Sequence, residues 1–283
     1  MKRQSRHIAR LPLLLLAAVI AVAVAAGIAP GLAAAQSGNP MSQPVQVFVP
    51  EVISVRDHDP SAYTQGLLLH EGLFYESTGR RGLSSLRAVD PETGEVERMI
   101  EVPEAYFAEG LALVDDRLIQ LTWQENVAFV YDLDSFEQTG TFEYEGEGWG
   151  LCYDGERLYM TDGTPFIQLR DPDTFELFFS GAVTLQGQPV GNLNELECVG
   201  DYLYANVWKT DYIVQIDKSN GVVVGVIDAS GLLTEDERAA LLQSDSDAVL
   251  NGIAYDAEND VFLITGKLWP KVYEVRFVEQ EQE

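Results

Sequence analysis

A short marker recurs five times along the chain and restricts its fold more than any other feature of the sequence. Gln65-Gly66-Leu67, Glu109-Gly110-Leu111, Trp149-Gly150-Leu151, Asn194-Glu195-Leu196 and Asn251-Gly252-Ile253 each open an apolar run. Aligned on positions 66, 110, 150, 195 and 252, the markers lie 44, 40, 45 and 57 residues apart. Repeats of this length are supersecondary units that bury their faces on one another, by stacking or by radial arrangement.

Each unit follows the same grammar. An apolar strand leaves the marker, as in Leu67 to Leu69 or Ile253 to Tyr255, and an acidic or Gly-containing turn follows, such as Glu71-Gly72 or Asp154-Gly155. A second apolar strand comes next. The third ends in Asp and a turn (Asp90-Pro91-Glu92-Thr93-Gly94, Asp217-Lys218-Ser219-Asn220-Gly221), and a fourth closes the unit. Four strands at this period predict an all-β chain, a five-bladed β-propeller of four-stranded blades over residues 45–280. The last unit has no fourth strand after Val272 to Phe277. An N-terminal strand, Val45 to Val49 or Val52 to Val55, is expected to close that blade and cover its edge. The excess in the 57-residue spacing falls at 232–246, where Thr234 and Glu237 form a capping-box pattern and predict a short inserted helix.

Ahead of the repeats, residues 1–35 read as a secretory signal. Basic residues Lys2 to Arg10 precede the apolar run Leu11 to Ile28 and the small residues Ala33-Ala34-Ala35. The run is long enough for an uncleaved anchor as well, and residues 36–44 form a polar linker. The expected location is therefore periplasmic or extracellular, free or membrane-anchored. The chain carries 45 acidic and 18 basic residues, a net charge of −27; without Lys2, Arg3, Arg6 and Arg10 it has 45 against 14, or −31. Such a surface argues against nucleic acid or an anionic membrane as partner. Two cysteines are too few for a disulfide framework, and Cys152 and Cys198 are expected as buried free thiols, with a single bridge as the alternative.

The residue leading each marker varies: Gln65, Glu109, Trp149, Asn194, Asn251. A second row, at or just past the end of each second strand, is Thr78, Trp123, Gly163, Trp208 and Lys267. In a propeller both rows converge on one mouth of the axis, and all four tryptophans lie in or near them, counting Trp269. An enzyme site and a recognition pocket for peptides or sugars both fit this pattern. Zinc chemistry does not, because only His58 and His70 follow the signal and no His-Glu-x-x-His or Cys-x-x-Cys occurs. Neither a Gly-x-Ser-x-Gly elbow nor a phosphate loop is present.

The run His58-Asp59-Pro60-Ser61-Ala62-Tyr63-Thr64-Gln65-Gly66-Leu67 closely resembles the entry motif of the plant and bacterial glutaminyl-peptide cyclotransferases. The resemblance continues through Phe107 to Leu111, Gly148 to Leu151, Leu193 to Glu197, Ala205 to Trp208, Asn251 to Ala254 and Thr265 to Pro270. It departs mildly at Tyr63, where the family usually has Phe, and at Ala108, where Gly is common. It implies a five-bladed propeller that converts the N-terminal glutamine of peptides or proteins to pyroglutamate and releases ammonia. It also implies Glu109 as acid/base and Lys267 as oxyanion donor, with substrate held among Tyr63, Phe107, Gln65, Trp123, Trp149, Asn194, Trp208 and Asn251. No cofactor is implied; a structural metal in the channel stays open, and a monomer is expected. A metal-dependent propeller lactonase is the other enzyme reading, but it would need an oxygen cage for Ca²⁺.

Overall fold

The structure is a computed structural model that describes residues 45–280. The readings of 1–35 as a signal or anchor and of 36–44 as a linker lie outside the described residues. Within them the chain is strand after strand, with one helix. Strand β1 (Gln46–Asp57) leads. The first sheet is β2 (Thr64–His70), β3 (Leu73–Thr78), β4 (Ser85–Val89) and β5 (Val96–Glu101). The second is β6 (Ala108–Val114), β7 (Arg117–Thr122), β8 (Val127–Asp132) and β9 (Gln138–Glu143), and the third is β10 (Leu151–Tyr153), β11 (Leu158–Thr161), β12 (Phe166–Arg170) and β13 (Leu177–Ala182). A small hairpin, β14 (Thr184–Leu185) and β15 (Gln188–Pro189), precedes β16 (Leu193–Val199), β17 (Tyr202–Val207), β18 (Tyr212–Asp217) and β19 (Val223–Asp228). Helix α1 (Glu235–Ser244) then leads to β20 (Leu250–Asp256), β21 (Val261–Gly266) and β22 (Lys271–Glu279).

Local chemistry explains the repetition. In four units the Asp that ends the third strand folds the next turn with its own carboxylate. Asp90 accepts from the backbone N–H groups of Glu92 and Thr93, Asp132 from Ser135, Asp171 from Asp173 and Thr174, and Asp217 from Ser219. Asx turns of this kind set each hairpin without help from the core. The second strands β3, β7 and β11 are buried almost throughout, whereas the fourth strands β5, β9 and β13 are largely exposed. Each unit therefore runs from the interior outward.

The first strands are neighbours in a closed circuit: β2 beside β6, β6 beside β10, β10 beside β16, β16 beside β20, and β20 beside β2. Leu67, Leu111, Leu151, Leu196 and Ile253 are all buried there. Successive markers touch through backbone, and Gly110 donates its N–H to the carbonyl of Trp149 at 2.7 Å. A Cβ on Gly110 would meet the backbone of Trp149 and Leu151 within 2.7 Å, and one on Gly150 would sit 2.1 Å from the Asn194 oxygen. Only glycine allows that approach. At the fourth marker Glu195 stands in the glycine's place, and its buried carboxylate accepts from the N–H groups of Leu67 (3.3 Å) and Ile253 (2.8 Å). One side chain thus ties three markers together.

Closure at the chain ends uses both candidate N-terminal runs, since they form a single strand. β1 pairs antiparallel with β22 from Phe48↔Glu279 to Asp57↔Lys271, with a register shift between Val52 and Ser54. Its first three residues also pair in parallel with Gly225 to Ile227 of β19. The expected separation of the last two units is thereby lost, and they merge into one eight-stranded sheet, β16-β17-β18-β19-β1-β22-β21-β20. The inserted helix α1 has its capping box: Thr234 and Glu237 exchange backbone-to-side-chain hydrogen bonds of 2.9 and 3.2 Å.

The cysteines correct the sequence reading, because Cys152 and Cys198 form a disulfide and are not free thiols. They lie on β10 and β16, which the circuit makes neighbours, and their Cα atoms stand 5.6 Å apart, within bridging range. Two residues 46 apart in sequence meet only because the ring brings successive first strands together.

Candidate active site

At four markers the strand pairing skips a step: Thr64/Gly66, Ala108/Leu111, Leu193/Leu196 and Leu250/Ile253. A bulge leaves a residue out of the ladder and re-aims its side chain. The residues so released are Gln65, Glu109, Asn194 and Asn251, four of those singled out in the sequence. All four are buried, and Glu109 is only 4 % exposed.

Around them runs an arc of aromatic side chains supplied by successive sheets. The Tyr63 and Phe107 rings meet edge-on at 6.1 Å, Phe107 and Trp123 at 5.7 Å, and Trp149 and Trp208 at 5.4 Å. Between Trp123 and Trp149 stands Glu147, whose Oε2 accepts from both indole N–H groups, at 2.8 and 3.0 Å, while Oε1 accepts from Gln124 at 2.8 Å. Lys267, two residues before Trp269, completes the circle with its Nζ 4.9 Å from the centre of the Tyr63 ring. Edge-to-face stacking fixes each ring by its neighbours, so the wall is preorganised.

Two ionisable groups in this enclosure are held away from their ordinary behaviour. Burial pushes the Glu109 carboxyl well above the usual range; the charge of Lys267 opposes this, and Glu147 and Glu125 reinforce it. Burial lowers the Lys267 ammonium to about 8, against the pull of Glu109 and Asp247. No carboxylate among the described residues lies within 4.0 Å of that ammonium. A carboxyl that prefers its proton and an amine that sheds one readily are the two ends of a proton-transfer apparatus. Glu147 behaves oppositely. Burial would raise it, but the Gln124 amide and the two indoles hold it below the ordinary value.

The structure thus links Tyr63, Phe107 and Trp123 edge to edge, joins Trp123 to Trp149 through Glu147 and Trp149 to Trp208, and sets Lys267 against Tyr63. Trp123, Trp149, Trp208 and Lys267 were marked by their place in the repeat, Tyr63 and Phe107 by the family resemblance. Asn251 is turned to architecture: its amide donates to the Thr64 carbonyl at 2.9 Å and to Gln65 at 3.3 Å, tying the last marker to the first. Its Oδ1 and the Oδ1 of Asn194 are buried without a hydrogen-bond partner. Trp269, two residues past the second row, is 1 % exposed, packs in the core of the last unit and donates its indole N–H to Ala248, so it is not part of the wall. The sequence reading missed Glu147 and the rim charges paired as Arg80–Asp245, Arg81–Glu125 and Lys209–Asp247. Glu147 had a visible signal, an acid two residues before a marker Trp. Two other clefts, of about 220 and 200 Å³, contain no residue of the arc. Among the described residues no three His, Cys, Asp or Glu side chains cluster as a metal site requires.

The family model for glutamine cyclotransferase matches residues 20–277. A glutaminyl-peptide cyclotransferase of Arabidopsis thaliana is 40% identical over 229 residues, covering 80% of this chain and 70% of the relative. The crystal structure of Myxococcus xanthus glutaminyl cyclase superposes with a TM-score of 0.77 at 39% identity, covering 84% of this chain and 100% of that one.

Proposed function

The chain belongs to the glutamine cyclotransferase family, and we propose that it is a glutaminyl-peptide cyclotransferase acting on peptides or proteins that begin with glutamine. The observation that carries the reading is the pairing of a buried, proton-retaining Glu109 with a buried, proton-shedding Lys267 inside an aromatic wall. We read the circuit of first strands as a five-bladed propeller in which β1 joins the fourth and fifth blades. The oxidised Cys152–Cys198 pair supports an exported location, and residues 1–35 would serve as its signal or anchor.

In the reaction the α-amine attacks the side-chain amide carbon of the same residue. A C–N bond forms, the bond to the amide nitrogen breaks, and ammonia leaves. Ring closure is intramolecular, so the protein chiefly selects the folded-back conformer and moves protons. The raised pKa makes the ionised form of Glu109 a base strong enough to take the proton that the α-amine must lose, and the carboxyl so formed returns a proton to the departing nitrogen. Lys267 donates to the oxyanion that develops on the former carbonyl oxygen. Trp123, Trp149, Trp208, Phe107 and Tyr63 enclose the methylenes of glutamine and exclude water. Gln65 and Asn194 lie beneath with amides able to hold the substrate's polar ends, and the partnerless Asn194 oxygen suits an N–H of the substrate. The mechanism routes no step through a metal or cofactor.

The test is ammonia release from a Gln-initiated dipeptide, with and without a chelator. Stoichiometric ammonia and pyroglutamyl product, indifferent to chelator, is the expected result. Failure to cyclise any Gln-initiated peptide would overturn the reading.

A further inference from the structure

One buried ion pair has no part in that chemistry. His58 precedes the first marker, Glu76 sits on β3, and both are nearly inaccessible. Nδ1 of His58 lies 2.7 Å from the carbonyl oxygen of Trp269, and Nε2 lies 3.1 Å from Oε1 of Glu76. A carbonyl oxygen and a carboxylate both accept, so each contact asks the ring for an N–H. Only the imidazolium supplies two. The charges that face it agree: Glu76 from β3 and Asp59 from its own segment, with Arg87 of β4 held 2.7 Å from Asp59 and 4.0 Å from Glu76. Thr64 donates to the same Glu76 oxygen at 2.7 Å, and the Thr265 hydroxyl lies 3.4 Å from Nδ1. Burial alone would lower the His58 pKa, but the charge and hydrogen bond of Glu76 raise it overall.

The contact with Trp269 gives this pair its reach. The backbone N–H of His58 donates to Pro270 at 3.0 Å, and Leu268 donates to the carbonyl of Ala62 at 2.7 Å. Segment 58–63 is therefore stitched to the turn 266–270, and that turn carries Lys267. It is not a relaxed turn: Leu268 has φ 62°, a left-handed conformation that any residue with a Cβ disfavours. Such a conformation persists where its surroundings over-determine it. The stitched segment also ends in Tyr63, the ring beneath the Lys267 ammonium.

We propose that His58, kept as an imidazolium by Glu76, is a positioning residue that locks the 266–270 turn onto segment 58–63 and so places the Lys267 ammonium at the pocket mouth. The role assigned to Lys267 rests on the proposed cyclisation; the lock itself does not. With the imidazolium deprotonated, one of its two acceptors loses its hydrogen, and the turn is released from one side.

The test reads protonation directly. In ¹⁵N-histidine-labelled protein, with His58 assigned by His58→Gln, both ring nitrogens should stay protonated well above the ordinary histidine pKa of about 6.5. A neutral ring at pH 7 would overturn the proposal whatever the enzyme does. In His58→Gln, and more mildly in Glu76→Gln, the Lys267 side chain followed by its ¹³Cε shift should titrate upward from about 8 toward the ordinary lysine value. The Gln-peptide kcat should fall at least ~10-fold with KM within about threefold, since a misplacement near 1 Å costs up to ~10². Should His58→Gln not fold, Glu76→Gln and the wild-type titration carry the test. A folded variant in which Lys267 still titrates near 8 would sink the positioning role. Wild-type protein that cyclises nothing, yet keeps the imidazolium, would instead remove only the proposed function.

Discussion

Two groups of buried charges lie within one segment of each other and behave in opposite ways. At the seam between the first and last sheets, His58, Glu76, Arg87 and Asp59 satisfy one another, and each of the two carboxylates stays ionised below its ordinary pKa. At the mouth, Glu109 and Lys267 are just as buried but have no close partner, and each is driven toward its neutral form. His58 and Glu76 are as buried as Glu109 and Lys267; what differs is hydrogen bonding. A buried charge with its partners in place is architecture, whereas one without them waits for a substrate to supply the contact.

The sharpest way to break this contrast is Glu109→Gln, which keeps shape and hydrogen-bonding capacity but cannot exchange a proton. Turnover should fall ~10²–10⁴-fold with folding intact, measured as steady-state ammonia release. Near-normal turnover by a folded variant would place the catalyst elsewhere on the rim. At the seam the expected loss is of another kind. Glu76→Ala strands the His58 charge, while Arg87 keeps Asp59, and should cost ~3–5 kcal/mol in urea unfolding; a loss below about 1 kcal/mol would remove the distinction between the two regions.

Lys267→Met should show the mouth's signature from the other side, losing activity while gaining stability. Removing an oxyanion donor lowers kcat by ~10²–10³. The amine's pKa is depressed from 10.5 to about 8, so its charged form is disfavoured by folding. That penalty is full below about 8 and vanishes above 10.5. The variant should therefore be more stable by up to ~3 kcal/mol at pH 7 and no more stable at pH 11. It should also lose the alkaline limb near pH 8 from its rate profile. Equal melting temperatures at both pH values would show that the ammonium is already compensated.

The smallest effect is in wild-type stability against pH. His58 is raised, so its contribution is complete below about 6.5 and fades as pH climbs through its folded value; Glu76 is lowered, so its contribution is complete above about 4.5 and fades as pH drops through its folded value. Stability from this pair should have a plateau between those limits. Glu76→Gln should flatten it, and a plateau that survives the substitution would assign it to other groups.

The repeat made much of this legible in the sequence. Because four of the five markers sit on a bulge at the inner strand, Gln65, Glu109, Asn194 and Asn251 share one structural position and could be gathered before any coordinates. The wall tryptophans Trp123, Trp149 and Trp208 were legible from the two rows, and Tyr63 and Phe107 from the family resemblance. What failed depended on contacts between units. The disulfide needs β10 beside β16, and the His58 contact with Trp269 joins residues 211 apart. Glu147 lies on a loop off both rows, and its place two residues before the marker Trp149 was the one signal for it.

The pairing of β1 with β22 also dictates an order of events. Strand β1 is the earliest of the described segments to be synthesised, and β22 is the last; their register joins Phe48 to Glu279. The first strand must therefore wait, unpaired on that side, until nearly the whole chain is available, and bringing such distant residues together is entropically slow. A product truncated before Lys271 would have four strand-rich units and no means of sealing the circle. Synthesis of β22 is thus built into the fold as the condition for closing it.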